Sequence, residues 1–411
     1  MGAEKGTEFA GYSQVRAVRS GAGSCIYVQG MGLTSWSFLT VLILLCIGLP
    51  VVAVIGWVRL RPRLLAVLAC VGLLVLSELA AGALVAAVVN RQGHFVATWS
   101  QMLSSGSPTA GTGAAVSKDV SIGVGPGAGG VWKASADSSF STPGQRSTKG
   151  RLDAVTMRGP NSGLTSKALV YLPPQYFQRA YRHHTFPAIE AFTGFPGTLS
   201  NLTHGLNYPK AMQQLVASHK AHPMIVVMMR PSVNYPRDTE CTDVPSGPLA
   251  ETFFAQDVPD QASQHYRTGK AGWGAIGDST GGYCAAKIAM MYPTTFPAAV
   301  SLSGYCETLR DHTTHDLWGG STVVRNLNDL CWRLKHRPAP AVSLLVTASK
   351  DESGKFGYKD AKNFIKLAKP PLAIDSIITP HGGHNLVAWS ALLPPSLSWL
   401  SAKLLITGVP K

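Results

Sequence analysis

The sequence predicts an α/β architecture with a mostly parallel central sheet, preceded by two transmembrane helices. Three observations lead there. Two long apolar stretches lie near the start of the chain, at residues 38–58 and 64–89. A Gly/Ser-rich stretch follows, up to about Gly150. From Arg151 onward, short apolar runs alternate with amphipathic ones, as when strands are covered by helices on both faces. The length of 411 residues suits one large domain plus an extension. Apolar residues make up 45% and charged residues 14%, against about 25% charged in an ordinary soluble domain. A disordered chain, a collagen, a coiled coil and a small disulfide scaffold are all excluded.

The stretch 38–58 carries no charge, and 64–89 carries only Glu78. A bilayer core needs about 20 apolar residues per helix, so both qualify. Pro50 is tolerated in such a span. The first run starts too late for a signal peptide, and a second follows closely. Arg59, Arg61 and Arg63 lie between them, which places this loop in the cytoplasm. The tail 1–37 is only weakly charged. Everything after Arg91 is then expected outside the plasma membrane. Glu78 is read as a helix–helix or headgroup contact.

Cys25, Cys46 and Cys70 fall in the tail and spans. Cys241, Cys284, Cys306 and Cys331 fall in the outer part, an even number in an oxidising compartment. Of three pairings, Cys241–Cys284 with Cys306–Cys331 is favoured, against four buried thiols. The net charge of +14 first suggests nucleic acid. Its distribution argues otherwise: residues 1–150 hold 11 Lys/Arg and 5 Asp/Glu, residues 151–411 hold 25 and 17, and neither part has a long basic run. A basic surface facing an acidic envelope or anionic lipid is the expectation.

Residues 91–150 read as a flexible linker. The glycines of 121–130 lack the Lys-Ser/Thr and the helix of a phosphate loop. Residues 151–411 form one domain. Its expected strands are 168–172, 187–192, 224–229, 272–276, 298–302, 342–348 and 373–378. Its expected helices include 210–219, 254–266, 283–291 and 359–368. In such sheets the chemistry gathers beyond the carboxyl ends of the strands.

The strongest motif is Gly277-Asp278-Ser279-Thr280-Gly281, between an apolar strand and a helix-compatible run. That is the strand–elbow–helix context of a nucleophilic serine. The serine sits in a strained turn, and glycines at both flanks leave room for neighbouring backbone. Such a serine needs a base that arrives later in the chain, after an acid. Pro380-His381-Gly382-Gly383-His384-Asn385 follows the last strand. His384 is preferred over His381, because two glycines let the loop carry it across. The acid belongs after strand 342–348, where Asp351 and Glu352 are adjacent and spacing does not separate them. Asp375 lies within the last strand instead. Two backbone N–H groups must hold the oxyanion: Thr280 supplies one, and Phe195, in the loop Thr193-Gly194-Phe195-Pro196-Gly197, the other. His312-x-x-His315-Asp316 is too sparse to indicate a metal.

Val170-Tyr171-Leu172-Pro173-Pro174, the Thr-Gly-Phe-Pro-Gly loop, Gly-Asp-Ser-Thr-Gly-Gly and Gly-Gly-His384-Asn-x-x-x-Trp389 together resemble the putative-esterase branch of the α/β-hydrolases, over residues 151–405. That branch includes esterase D-like enzymes and the mycobacterial mycolyltransferases, and the membrane-anchored architecture looks actinobacterial. The resemblance implies an α/β-hydrolase fold. In the mycolyltransferases the acid is a glutamate, which favours Glu352; esterase D-like relatives use aspartate, which keeps Asp351 open. Asp278 and Thr280 flank the serine where the mycolyltransferases carry more apolar residues.

The expectation is therefore a membrane-anchored extracytoplasmic serine esterase with Ser279 as nucleophile, acting on a small-molecule or lipid ester. It calls for no metal, no organic cofactor and no nucleic acid. Two other readings stand beside it. One is an acyltransferase that hands the acyl group to a sugar or glycolipid hydroxyl. The other is an inactive hydrolase fold serving as an envelope-binding module.

Overall fold

A computed structural model describes residues 36–59, 64–93, 132–354 and 356–404. The tail expected at 1–37 up to Ser35, the residues Arg61 and Arg63, and residues 94–131 of the expected linker lie outside the described residues; residues 91–93 of that linker are helical. The chain divides into two units, residues 1–81 and 82–411.

The first unit holds α1 (Trp36–Arg59), which runs through Pro50, and the start of α2 (Leu64–Gly93). Both contain stretches long and apolar enough to cross a membrane, Phe38–Trp57 and Val67–Val88. The helices touch through small groups. The Cys70 thiol lies 3.5 Å from the Ala53 carbonyl, and Ser77 Oγ donates to the Cys46 carbonyl at 3.5 Å. Their outward residues are apolar and exposed, among them Leu44, Ile47, Val54 and Leu79.

The second unit is built on one nine-stranded sheet in the order β1-β2-β3-β5-β4-β6-β7-β8-β9. The strands are β1 (Lys133–Ala136), β2 (Arg151–Arg158), β3 (Thr165–Leu172), β4 (Ala188–Phe192), β5 (Ile225–Met229), β6 (Gly274–Asp278), β7 (Ala298–Leu302), β8 (Ser343–Ser349) and β9 (Ala373–Thr379). β1, β2, β3 and β5 pair antiparallel, and every pairing from β5 through β9 is parallel.

Seven of these strands match expectation to within three residues. The two at the antiparallel edge were not anticipated. β1 is exposed along its whole length and lies inside the stretch read as linker, so the sheet takes in residues before Arg151. β2 reads Arg-Leu-Asp-Ala-Val-Thr-Met-Arg. Its alternating polar residues break the continuous apolar run of a strand buried on both faces. The helix Leu386–Lys403 was likewise not expected. Pro394 and Pro395 interrupt its pattern, yet it buries Trp389, Leu393, Leu397 and Leu400.

Successive residues of the parallel strands feed two cores. Ala188, Phe192, Ala275 and Leu344 face the core covered by the helices Val258–His265 and Thr280–Met291. Ile189, Ala191, Ile276 and Leu345 face the core under Tyr208–Ala217 and Leu386–Lys403. The order makes a crevice. β4 and β6 are neighbours, with Phe192 opposite Gly277. The chain leaves β4 toward the helix Tyr208–Ala217 on one face, and leaves β6 into the helix Thr280–Met291 on the other. The loops beyond these two strand ends therefore diverge, and the space between them is where such sheets bind ligands.

Candidate active site

Ser279 alone separates β6 from the helix Thr280–Met291. Its backbone is held at φ 54°, ψ −120°, a conformation that costs a non-glycine residue energy and persists only when its surroundings enforce it. Its N–H donates to the Leu302 carbonyl at 2.9 Å. A Cβ on Gly277 would overlap the backbone of Gly281, and one on Gly281 would lie 2.6 Å from the Thr193 carbonyl oxygen. The turn closes only with glycine at both places.

His384 reaches this serine across 105 residues of chain, with Nε2 2.8 Å from Ser279 Oγ. Its other ring nitrogen, Nδ1, lies 3.5 Å from Glu352 Oε2. The Glu352 side chain is 3% exposed. Its second oxygen accepts from Ser303 Oγ at 2.7 Å and from the Ser349 N–H at 2.9 Å. Trp389 completes the frame: its indole N–H donates to Ser303 Oγ at 3.1 Å, and its ring meets the imidazole edge-on at 4.9 Å. Ser303 and Trp389 thus hold Glu352 and His384 together.

The neighbouring carboxylate points elsewhere. Asp351 accepts from the Ser349 hydroxyl and from the N–H groups of Gly382 and Gly383, the latter two at 3.2 and 2.9 Å. Partial burial raises its carboxyl, but these hydrogen bonds outweigh it and hold the group below its ordinary range. Asp351 therefore fastens the loop that carries the histidine. His381 is exposed, with Nδ1 3.9 Å from Asp351 Oδ2. Asp375 accepts from the Trp399 indole at 2.8 Å, in the layer of the last helix.

The loop after β4 abuts Ser279. A Cβ on Gly194 would lie 3.0 Å from Ser279 Cβ. The Gly194 N–H donates to Asp278 Oδ2 at 2.8 Å, and the next N–H in line is that of Phe195. Neither Phe195 N–H nor Thr280 N–H has a protein acceptor among the described residues. Asp278 had shown only as a neighbour of the serine in sequence; in the fold it ties the loop to the elbow. Burial pushes its carboxyl up to about 7, opposed by the Gly194 N–H and by the nearby His384.

A second buried chain backs Thr280. Tyr305 OH lies 3.0 Å from Thr280 Oγ1 and 2.7 Å from Glu240 Oε1, while its ring stacks on Tyr283. Glu240 is fully buried, and burial drives its carboxyl well above the ordinary value. Beneath it, buried Lys287 pairs with Glu251 at 3.1 Å and donates to the Cys241 carbonyl at 2.7 Å. No local sequence signal marks Tyr305 or Glu240, because their partners lie 25 and 65 residues away in the chain.

Both favoured disulfides are present, Cys241–Cys284 and Cys306–Cys331. The first ties the loop after β5 to the nucleophile helix, and the second ties the loop after β7 to the helix Leu330–His336. Cys306, Cys331 and Asp360 lie close enough together to suggest a metal site, but both sulfurs are spent in the disulfide. His312 and His315 join no metal-type cluster among the described residues.

The fold and this constellation define an α/β-hydrolase. The chain belongs to the family described as "Putative esterase", whose profile matches residues 162–400; it is accordingly a serine hydrolase or a related acyltransferase. An S-formylglutathione hydrolase from Agrobacterium tumefaciens is similar in structure, with a TM-score of 0.53 at 17% identity over 66% of this chain and 98% of that one. A ferulic acid esterase is similar too, with a TM-score of 0.51 at 17% identity over 67% of this chain and 100% of that one. At these identities the likeness speaks for the fold. No curated protein sequence matches this chain.

Proposed function

We propose that this protein is a membrane-anchored, extracytoplasmic serine esterase that hydrolyses carboxylic esters through an acyl-enzyme on Ser279. The observation that carries the reading is the 2.8 Å approach of His384 Nε2 to Ser279 Oγ, with Glu352 behind the ring. His384 takes the hydroxyl proton as Ser279 Oγ bonds to the ester carbonyl carbon. The carbonyl oxygen becomes an oxyanion, held by the free N–H groups of Phe195 and Thr280. Glu352 keeps Nδ1 protonated and balances the imidazolium. The intermediate collapses, and His384 returns the proton to the departing alcohol. Water, activated by the same histidine, then releases the acid and restores the serine.

The anchor follows from the two apolar helices. The arginines at 59, 61 and 63 support a cytoplasmic turn between them, and the two disulfides suit an oxidising outer compartment. A fluorophosphonate probe should label the full-length protein, and Ser279→Ala should abolish the label. Absence of labelling in folded protein sinks the proposal. Assays of p-nitrophenyl esters with and without sugar acceptors separate hydrolysis from acyl transfer: an acceptor that diverts the acyl product identifies a transferase. Sidedness is read by alkaline phosphatase fusions, active after Arg91 and silent at Arg61.

A further inference from the structure

A cavity of about 340 Å³ opens among the segments that follow β7 and β8, within the size range of small-ligand sites. Its walls come from the loop after β7 and from Phe356, in the loop after β8 that also carries Glu352. Phe356 contacts the Tyr305 ring at 5.5 Å, and Tyr305 OH reaches Thr280, the residue after the nucleophile. One aromatic side chain thus stands between this cavity and the elbow.

The cavity has donors to spare. Arg310 and Arg325 lie over the same Trp318 ring, at 5.9 and 5.2 Å from its centre. Neither guanidinium makes a direct salt bridge among the described residues, although the Trp318 N–H and, more weakly, nearby Arg310 help hold the Asp316 carboxyl below its ordinary range. Trp318 is 8% exposed, and its indole N–H has no acceptor among the described residues. The acids on the wall are already engaged. Asp311 accepts from Thr313 and Thr314, and Asp329 caps a helix through the Trp332 N–H at 2.8 Å; Glu307 has a partner of its own. What these walls lack is an acceptor without donors of its own. Carboxylates and phosphates have that chemistry, and arginine is the side chain best shaped to hold them.

We propose that this cavity is a subsite for an anionic group, a carboxylate or phosphate, carried by the ester that Ser279 attacks. The proposal rests on the esterase reading and names its substrate class: an ester with a negatively charged arm.

The test uses the full-length protein in detergent and matched esters. Mono-p-nitrophenyl glutarate against p-nitrophenyl butyrate places the charge on the acyl arm; 4-acetoxybenzoate against phenyl acetate places it on the alcohol arm. The readout is the ratio of kcat/KM for the charged over the neutral ester. At least one pair should favour the charged ester roughly tenfold, as charge-assisted hydrogen bonds allow, and the favoured pair identifies the arm. The ratio should fall toward one in the double variant Arg310→Gln/Arg325→Gln, mainly through KM. It should persist in part in Arg310→Lys/Arg325→Lys, and decline as salt rises. Ratios at or below one for both pairs in the unaltered protein, or ratios unmoved by the glutamine variant, overturn the subsite. Fluorophosphonate labelling needs no charged arm and separates the two readings. Labelling without charge preference removes the subsite and leaves the esterase; no labelling removes both.

Discussion

The nucleophile elbow and the acid–histidine side of the site are built in opposite ways. At the elbow, the residues that matter lie within five positions, Gly277 to Gly281, and their neighbours in the fold are largely their neighbours in the chain. Strand, turn and helix follow one another; Gly277 is demanded by the backbone of Gly281, and Gly281 by the backbone at the end of the neighbouring β4. On the other side, Glu352, Ser303, Trp389 and His384 come from three separate loops and a helix, and only packing brings them together. A local device is robust and easily read. A long-range one depends on every loop that supports it, and is more easily disturbed.

Substitutions can break this contrast, beginning with the largest effect. Ser279→Ala should lower kcat by about 10⁴-fold or more, with the fold intact by circular dichroism. The two adjacent carboxylates give the sharpest comparison. Glu352→Gln should cost about 10³- to 10⁴-fold in kcat, as expected when the group that orients the base loses its charge. Asp351→Asn should cost only about tenfold, through a less well placed histidine loop, and should lower the melting temperature. Equal losses for both would refute the division of labour between them. Gly281→Ala forces a methyl against the Thr193 carbonyl and should destabilise the domain by about 1–3 kcal/mol, read by denaturant unfolding. Tyr305→Phe removes the links to Thr280 and to Glu240 and should lower kcat by about fivefold or more, the worth of at least one hydrogen bond, with KM little changed.

The smallest effect concerns Asp278, which joins the elbow to the loop after β4. Its carboxyl is raised from an ordinary 3.8 to about 7 by burial, so the folded chain holds this proton more tightly than the unfolded one. Its contribution to stability is complete below about pH 4 and is lost as pH rises through about 7. Buried Glu190 and Glu240 are shifted the same way. In Asp278→Asn, whose side-chain oxygen can still accept from Gly194, the decline of melting temperature between pH 4 and 8 should be shallower than in the unaltered protein. Parallel curves would show that Asp278 titrates normally.

Much of the molecule was legible in the chain. The two apolar helices, the parallel strands, the serine elbow and a late histidine are all written in patterns of a few residues to a few tens, at which hydrophobic period and glycine placement speak directly. Strand β2 was not legible, because one half-buried face gives it the polar alternation of a surface segment. The helix Leu386–Lys403 hid behind two prolines that its packing tolerates.

By itself the sequence determined the kind of machine: a serine presented on a strand-to-helix turn and an imidazole delivered from the end of a parallel sheet. Only the tertiary structure decided which of two adjacent carboxylates turns inward. Asp351 and Glu352 differ by one methylene and one position, too little for any local rule. The choice was made by Ser303, Ser349 and Trp389 on one side and by the glycine N–H groups of the histidine loop on the other. A buried carboxylate goes where donors already wait for it, because an unpartnered charge away from water is costly, and donors from distant loops are assembled only when the chain has folded.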